Sequence, residues 1–127
     1  MGLKEYFENT KGFGVLSTAD KEGKVDAAVY SRPHVMEDGT IASIMHDRLT
    51  HENLKTNPHA VYLFLEEGAG YRGKRLYLTK IREEQDSELI TEICRRCYPS
   101  ELQVKEPHFL VVFRIDKELP LVGAGDQ

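Results

Sequence analysis

The chain has 127 residues, a formal net charge of −4, 40% hydrophobic residues and 30% charged residues. This length supports one domain with a single core, and no stretch approaches the roughly 20 apolar residues of a membrane span. The basic residues are dispersed rather than massed in a patch, which argues against a nucleic-acid partner.

The cellular location is predicted from the cysteines and from the start of the chain. Two cysteines are present, and no apolar signal segment follows the mixed charges at residues 1–5. Disulfide frameworks belong to oxidising compartments, so these features lead us to expect a cytoplasmic protein. We also expect residues 1–127 to form a single domain.

Hydrophobic periodicity and turn residues predict the elements of that domain. In chain order they are a helix at 3–10, strands beginning at Phe13 and spanning 24–32 and 40–46, a helical turn at 50–56 with Thr50 as its N-cap, strands at 59–66 and 74–83, a helix at 86–98 closed by Pro99, and a strand at 109–115. Six strands in close succession, without the βαβ spacing of a parallel sheet, indicate a mainly β antiparallel barrel or sandwich with helices at its ends.

Residues 40–65 carry the most information about function. A β-rich run ends in a polar cluster at 46–51, and a short amphipathic turn of helix follows until Asn57-Pro58 stops it. Cationic and hydroxyl side chains where a strand meets a helix N-terminus suit a phosphate group. There the unpaired backbone N–H groups and the positive end of the helix dipole both favour an anion. The pattern therefore predicts a phosphorylated ligand.

A solvated helix start is the alternative interpretation of this cluster, since Arg48, Thr50 and His51 also fit a capped helix with exposed charges. His46 and His51 are five residues apart, which differs from the i, i+4 spacing of helical metal ligands. No metal site is predicted.

The cysteines Cys94 and Cys97 lie in the last turns of a predicted helix and share the spacing of Ile90 and Ile93. Reactive dithiols favour a helix N-terminus, whereas a helix C-terminus opposes thiolate formation. We therefore interpret both cysteines as small core residues, and the sequence leaves any further role open.

Taken in order, these segments resemble the pyridoxamine-phosphate-oxidase-like family of FMN-binding split barrels. The resemblance covers nearly the whole chain and is sharpest where a strand is followed by Thr-His, Asn-Leu, Asn-Pro and a buried strand. The segments that carry it are the hairpin GVLSTADKEGKVDAAVY, the turn EDGTI, the block DRLTHENLKTNPHAVYLF, the strand GKRLYLTKI, the helix DSELITEICRRCYP and the strand FLVVFRI. The resemblance implies a six-stranded antiparallel split β-barrel with short helices, in a homodimer that holds FMN between its subunits.

The resemblance also implies which residues hold FMN. The phosphate positions are Arg48, Thr50 and His51, with Arg32 as a further candidate. The residues expected to line the flavin ring are Tyr30, Ser31, Ser43, Met45 and His46. The residues expected to reach in from the partner subunit are Tyr71, Arg72 and Arg75.

Two departures from the family pattern bear on function. His51 stands where many members have Lys, and its unperturbed pKa of about 6.5 makes it a weaker cation near neutral pH. The closing segment from residue 114 onward has Arg114 as its only arginine, whereas true pyridoxamine-phosphate oxidases resemble one another in an Arg-rich end that grips the substrate's phosphate. We therefore expect that this chain does not oxidise vitamin B6 phosphates.

The sequence contains no Ser-His-Asp arrangement, paired-carboxylate motif or dinucleotide fingerprint, so no residue is predicted to be catalytic by itself. A flavin protein does not need one, because the cofactor carries the hydride and electron chemistry. We expect an FMN-dependent oxidoreductase that passes hydride or electrons to a small acceptor. The alternatives are a flavin-binding electron carrier without turnover and a relative that uses a deazaflavin or haem instead.

Overall fold

The computed structural model describes residues 2–68, 70–85, 90 and 108–123. Its helices and strands are, in chain order, α1 Leu3–Asn9, β1 Gly12–Ala19, β2 Val25–Tyr30, β3 His34–Val35, β4 Ile41–His46, α2 Leu49–Thr56, β5 His59–Glu66, β6 Gly73–Gln85 and β7 His108–Pro120. Side chains along β1 and β5 alternate between buried and more exposed positions, as expected of strands with one face on a core.

The strands form one antiparallel sheet in the order β2-β1-β5-β6-β7-β4-β3. The sheet curls into a half-barrel, which confirms the mainly β antiparallel architecture with short helices. The predicted number of six strands is wrong, because the structure has a seventh strand, β3, in which His34 pairs with Ala42 and Val35 pairs with Ile41. Two residues are too few to produce an alternating pattern, so the sequence did not indicate this strand.

Two hydrophobic clusters lie on opposite faces of this sheet. The main cluster is built from the inward side chains of the strands and is closed by Phe7 of α1 and Leu54 of α2. The smaller cluster joins Ala42, Leu110 and Val112 to Ile90. Because β7 is covered on both faces in its first half, residues 108–113 are all buried there.

The start of α2 differs from the prediction. The helix begins at Leu49, and its N-cap residue is Arg48, whose side chain makes no capping hydrogen bond. The prediction of Thr50 as N-cap is wrong, since Thr50 lies in the first turn and is buried. A backbone hydrogen bond of 2.9 Å from the N–H of Glu52 to the carbonyl oxygen of Arg48 closes that turn. Thr50 is therefore a buried residue of the first turn of α2 and not its N-cap.

The predicted helix at 86–98, with Cys94 and Cys97, lies outside the described residues apart from Ile90. That residue is helical, is buried and packs on β4 and β7. Within the described part of the chain, no helix is both long and apolar enough to cross a membrane.

Helix α2 links strands from opposite ends of the strand order. It follows β4 and packs against β1 and β2, where Asn53 Nδ2 donates a hydrogen bond to Thr18 Oγ1 at 3.1 Å. The end of β2 is held from the interior by Tyr62, whose hydroxyl donates to the carbonyl oxygens of Tyr30 at 3.3 Å and Ser31 at 3.1 Å. These contacts bring the start of α2 and the end of β2 side by side.

Candidate functional site

The first turn of α2 is the centre of the candidate site. The first N–H groups of a helix have no acceptor within the helix, and here the Arg48 side chain does not cap them. They belong to Leu49, Thr50 and His51; Arg48 and Leu49 are exposed at the helix start, whereas Thr50 and His51 are 4% and 1% exposed. Backbone donors and the positive end of the helix dipole therefore coincide here, and the N-cap residue carries a guanidinium.

Thr50 joins this helix start to the end of β2. A side-chain hydrogen bond links Thr50 to the Tyr30 hydroxyl, and Thr50 is itself buried. Burial raises the pKa of the Tyr30 hydroxyl, and the hydrogen bond to Thr50 offsets part of that rise. Tyr30 is therefore a neutral phenol near pH 7 and can donate a hydrogen bond to an anion. The structure thus brings two of the predicted site residues into contact.

The ring of His51 is directed into the protein. It is 1% exposed, with Nδ1 2.9 Å from Asp47 Oδ1 and Nε2 3.0 Å from Glu83 Oε2. It stacks on Phe109, with 3.8 Å between ring centroids and 19° between planes. Both ring nitrogens contact carboxylates, so this geometry does not provide the predicted direct contact between the His51 ring and a phosphate.

The carboxylates beside the helix start are held in ion pairs. Lys55 Nζ lies 3.2 Å from Glu52 Oε2 and 3.8 Å from Asp47 Oδ1. The hydrogen bond from His51, together with the charge of Lys55, holds the pKa of the Asp47 carboxyl below its ordinary value. Because these negative charges face cations of the same helix, their repulsion of an anion at the helix start is reduced.

Glu83 is a site residue that the sequence pattern did not indicate. It lies on β6, and Lys80 forms an ion pair with the same carboxylate that contacts His51. Burial acts to raise the pKa of the Glu83 carboxyl, but hydrogen bonds from Lys80 and His51 hold it below its ordinary value. A Glu in a charged stretch of strand is typical of a solvent-facing position, so no local signal could have found it.

The residues predicted to line the flavin ring divide into surface and core positions. Ser31 is exposed just after β2. Ser43 is largely buried and Met45 belongs to the main core, so neither side chain faces the surface of the single chain. His46 is half-buried at the end of β4, and its ring centroid lies 4.4 Å from that of its register partner His108.

Arg32 contacts the end of α1. Its Nη1 donates hydrogen bonds to the carbonyl oxygens of Phe7 and Thr10, both at 2.7 Å. The C-terminal end of a helix carries partial negative charge, which favours a cation there. One nitrogen of the guanidinium is thus engaged with α1, and the phosphate role of Arg32 stays a prediction.

The three residues predicted to reach a partner subunit have different surroundings. Tyr71 is 82% exposed and Arg72 is also exposed, in the loop between β5 and β6. Arg75 bonds within its own chain, where Nε donates to the carbonyl oxygen of Pro120 at 2.9 Å and Nη2 donates to that of Gly123. Tyr71 and Arg72 have the exposure that a contact with a second subunit requires, whereas Arg75 holds the end of β7.

The donor set at the start of α2 fits a phosphate monoester. Backbone N–H groups, a guanidinium and hydroxyls are the groups that bind phosphate oxygens in proteins, and Arg48, Thr50 and Tyr30 supply the side chains here. We call these three residues and the first N–H groups of α2 the phosphate seat. The phosphate of FMN matches this set in charge and in hydrogen-bonding capacity.

Comparison with known proteins identifies the fold. No family model matches the chain, and no curated protein matches it. Among solved structures, an FMN-binding protein from Syntrophomonas wolfei subsp. wolfei matches with a TM-score of 0.76 at 24% identity, over 94% of this chain and 84% of that chain. HutZ, the heme storage protein from Vibrio cholerae, matches with a TM-score of 0.67 at 15% identity, over 93% and 91% of the two chains. An F420 reductase matches with a TM-score of 0.68 at 13% identity, over 93% and 97%. The chain has the pyridoxamine-phosphate-oxidase-like split-barrel fold, as the resemblance implied.

Proposed function

We propose that this chain is a subunit of a homodimeric FMN-binding oxidoreductase, with the FMN phosphate in the phosphate seat. The observation that carries the proposal is the exposed, uncapped helix start at Arg48 beside the hydrogen bond between Thr50 and Tyr30. A phosphate at this position receives hydrogen bonds from backbone N–H groups, a guanidinium and the Tyr30 hydroxyl. The similarity to the FMN-binding protein from Syntrophomonas wolfei supports flavin as the cofactor.

Each residue of the seat has its own role in this proposal. Arg48 binds phosphate oxygens through its planar guanidinium, which can make two parallel hydrogen bonds. The Tyr30 hydroxyl, which accepts a hydrogen bond from Thr50, supplements the backbone donors, and Ser31 and His46 contact the flavin ring. Bound FMN supplies the hydride and electron transfer. The chain itself binds the phosphate and orients the ring, and we assign no catalytic residue.

An apolar sheet face supports the proposed homodimer. Val15 pairs with Val29, and Phe13 pairs with Leu65, on neighbouring strands. Since side chains alternate along a strand, these four residues share one face of the sheet. Val29 is 74% exposed and Phe13 is 52% exposed. A contiguous apolar face of this kind marks an interaction surface, and a second copy of this chain is the occupant that we propose.

The substrate that we propose is a small molecule other than a vitamin B6 phosphate. Arg114, the arginine of the closing segment, is exposed, and its Nε donates to Asp116 Oδ1 at 2.7 Å. Asp116 is also hydrogen-bonded to Thr79. The one arginine of the closing segment that could have bound a substrate phosphate is thus paired with Asp116 on β7.

Haem is a second candidate ligand, favoured by one observation. His46 and His108 bring two imidazole rings together at the ends of β4 and β7, and imidazole is a common axial ligand of haem iron. The structural similarity to a heme storage protein supports this candidate, and the similarity to an F420 reductase likewise supports a deazaflavin as an alternative to FMN.

The test is the visible absorption spectrum of the freshly purified protein, recorded before and after addition of FMN and desalting. A retained flavin spectrum near one FMN per chain supports the proposal. A Soret band supports haem instead, and a chain that retains no chromophore after reconstitution contradicts both. If FMN is retained, oxidation of reduced nicotinamides distinguishes an oxidoreductase from an electron carrier without turnover.

A further inference from the structure

His51 is a buried titratable group beside the phosphate seat. Its Nδ1 and Nε2 lie 2.9 Å and 3.0 Å from carboxylate oxygens of Asp47 and Glu83. A carboxylate accepts hydrogen bonds but donates none, so both contacts are hydrogen bonds only when both ring nitrogens carry protons. The geometry therefore corresponds to an imidazolium bridging two carboxylates.

The neutral ring cannot hold both carboxylates. It keeps one N–H and presents a lone pair at the other nitrogen, which then faces a carboxylate oxygen at hydrogen-bonding distance. The ring is 1% exposed, whereas the side chains of Asp47 and Glu83 are 46% and 28% exposed, so water screens this repulsion only in part. Loss of the proton therefore weakens the contact with either Asp47 or Glu83.

The ring contacts Asp47 beside the start of α2 and connects it to the sheet at two points. Asp47 directly precedes the N-cap residue of α2, so the contact between Asp47 and His51 spans the backbone that carries the phosphate seat. Glu83 ties the same ring to β6, and Phe109 stacks on it from β7. Residues 47–51 thus depend on the His51 ring for their position on the sheet.

We propose that His51 is the positioning residue of the phosphate seat and acts through its proton: the imidazolium holds residues 47–51 in the arrangement that binds phosphate, so phosphate binding favours the protonated ring. This inference rests on the proposed function and adds a proton linkage that FMN binding alone does not imply. The imidazolium also offsets the charges of Asp47 and Glu83 near an incoming dianion. By linkage, binding that favours the protonated ring becomes tighter as the pH falls.

The surroundings of the ring make His51 the group to test near neutral pH. The charged residues around it are Asp47 at the junction of β4 and α2, Glu52 and Lys55 on α2, and Lys80 and Glu83 on β6, with the uncharged Phe109 on β7. Lysines titrate near about pH 10 and carboxyl groups near about pH 4. Among these side chains, imidazole is the one whose unperturbed pKa lies between the two limits, so the comparison of His51→Gln with the wild type isolates its contribution.

The experiment measures FMN affinity from about pH 5.5 to about pH 8 in the wild type, in His51→Gln and in His59→Gln. Glutamine keeps a polar side chain but does not titrate. His59 is an exposed histidine at the start of β5 and provides a matched control. The FMN phosphate itself titrates near about pH 6, but it does so equally with all three proteins. The ratio of Kd between a variant and the wild type therefore reports the substituted histidine.

We expect the ratio of Kd between His51→Gln and the wild type to fall as the pH rises, by several-fold and by at most about tenfold per pH unit. The ratio for His59→Gln is expected to stay constant. A ratio for His51→Gln that does not change with pH overturns the proton linkage.

A second measurement covers the case in which His51→Gln does not fold. ¹⁵N NMR of the histidine rings in the wild-type protein distinguishes a ring with two N–H groups from a neutral tautomer. We expect two N–H groups on His51 at the acidic end of the range, and a single N–H throughout overturns the inference. Wild-type protein that binds no FMN at any pH overturns the proposed function. The ¹⁵N spectrum of the apo-protein then decides separately whether the His51 ring carries the two N–H groups that hold Asp47 and Glu83 at the start of α2.

Discussion

The ring of Tyr62 occupies the space that a side chain at Gly14 would need. A Cβ built on Gly14 would lie 2.6 Å from Cε1 of Tyr62 and closer still to its hydroxyl. That hydroxyl donates to the carbonyl oxygens of Tyr30 and Ser31. A glycine on β1 therefore makes room for the tyrosine that holds the end of β2 beside the phosphate seat.

We expect Gly14→Ala to lower the free energy of unfolding by about 1–3 kcal/mol, the usual cost of overpacking a core. Urea unfolding monitored by circular dichroism measures the change. Gly2→Ala is the control, because a Cβ there meets nothing within 4 Å. The double variant with Gly14→Ala and Tyr62→Phe lacks the Tyr62 hydroxyl oxygen, which is the atom closest to the new Cβ. It is expected to regain part of the lost free energy of unfolding. Equal stability of Gly14→Ala and the wild type would contradict the packing described above.

We expect Arg48→Ala to weaken FMN binding by about 10-fold to 150-fold, which corresponds to about 1.5–3 kcal/mol for hydrogen bonds to a charged group. Fluorescence titration measures the Kd. Arg114→Ala is a matched control, since Arg114 is also exposed and lies on β7, outside the phosphate seat. Riboflavin, which lacks the phosphate, should bind Arg48→Ala and the wild type alike. An unchanged FMN affinity in Arg48→Ala would contradict the proposed phosphate seat.

We expect Val29→Glu to convert a dimer into a monomer, because it places a charge on the apolar face where Val29 is exposed. Size-exclusion chromatography with light scattering measures the mass. Val122→Glu introduces the same charge at another exposed apolar residue, after the end of β7, and should leave the mass unchanged. A wild-type chain that is monomeric at all concentrations speaks against the proposed homodimer.

Acidification is expected to remove the stabilising contribution of Glu83. Its pKa is lower in the folded chain than its ordinary value, so the unfolded chain binds the proton more strongly. The contribution is therefore complete above the ordinary carboxyl pKa of about 4.3 and is lost as the pH falls through the folded pKa. Denaturant unfolding at a series of pH values should show Glu83→Gln less stable than the wild type at neutral pH, with the difference shrinking in acid. A difference that is constant with pH is inconsistent with this linkage.

We expect Arg32→Met to loosen α1, because methionine keeps the apolar stem but donates no hydrogen bond to the carbonyl oxygens of Phe7 and Thr10. A loss of about 1–3 kcal/mol in unfolding free energy is typical of hydrogen bonds from a charged donor. Hydrogen exchange should show faster exchange in α1. If FMN affinity falls while exchange in α1 is unchanged, Arg32 serves the phosphate, as the sequence resemblance implied.

The sequence by itself was sufficient for features that depend on local patterns. Strand β5 was predicted at its observed bounds, because an apolar run beside Asn57-Pro58 indicates a strand without knowledge of its partners. The short helix α2 and the polar cluster before it were also predicted, with an error at the cap. That error arose because Thr is a common N-cap residue, whereas packing buried Thr50 against Tyr30.

The tertiary structure decided which of the candidate residues face a ligand. His51 contacts Glu83, 32 positions away in the chain, and Arg32 contacts carbonyl oxygens of the first helix. Met45 points into the core because of the side on which the sheet curls. None of these outcomes is encoded in local periodicity, which gives the alternation of side chains along a strand but not which face of the strand is turned toward the core. Residue types and their spacing thus determined the elements and the chemistry of the cluster, and the pairing of distant strands determined which side chains that chemistry can use.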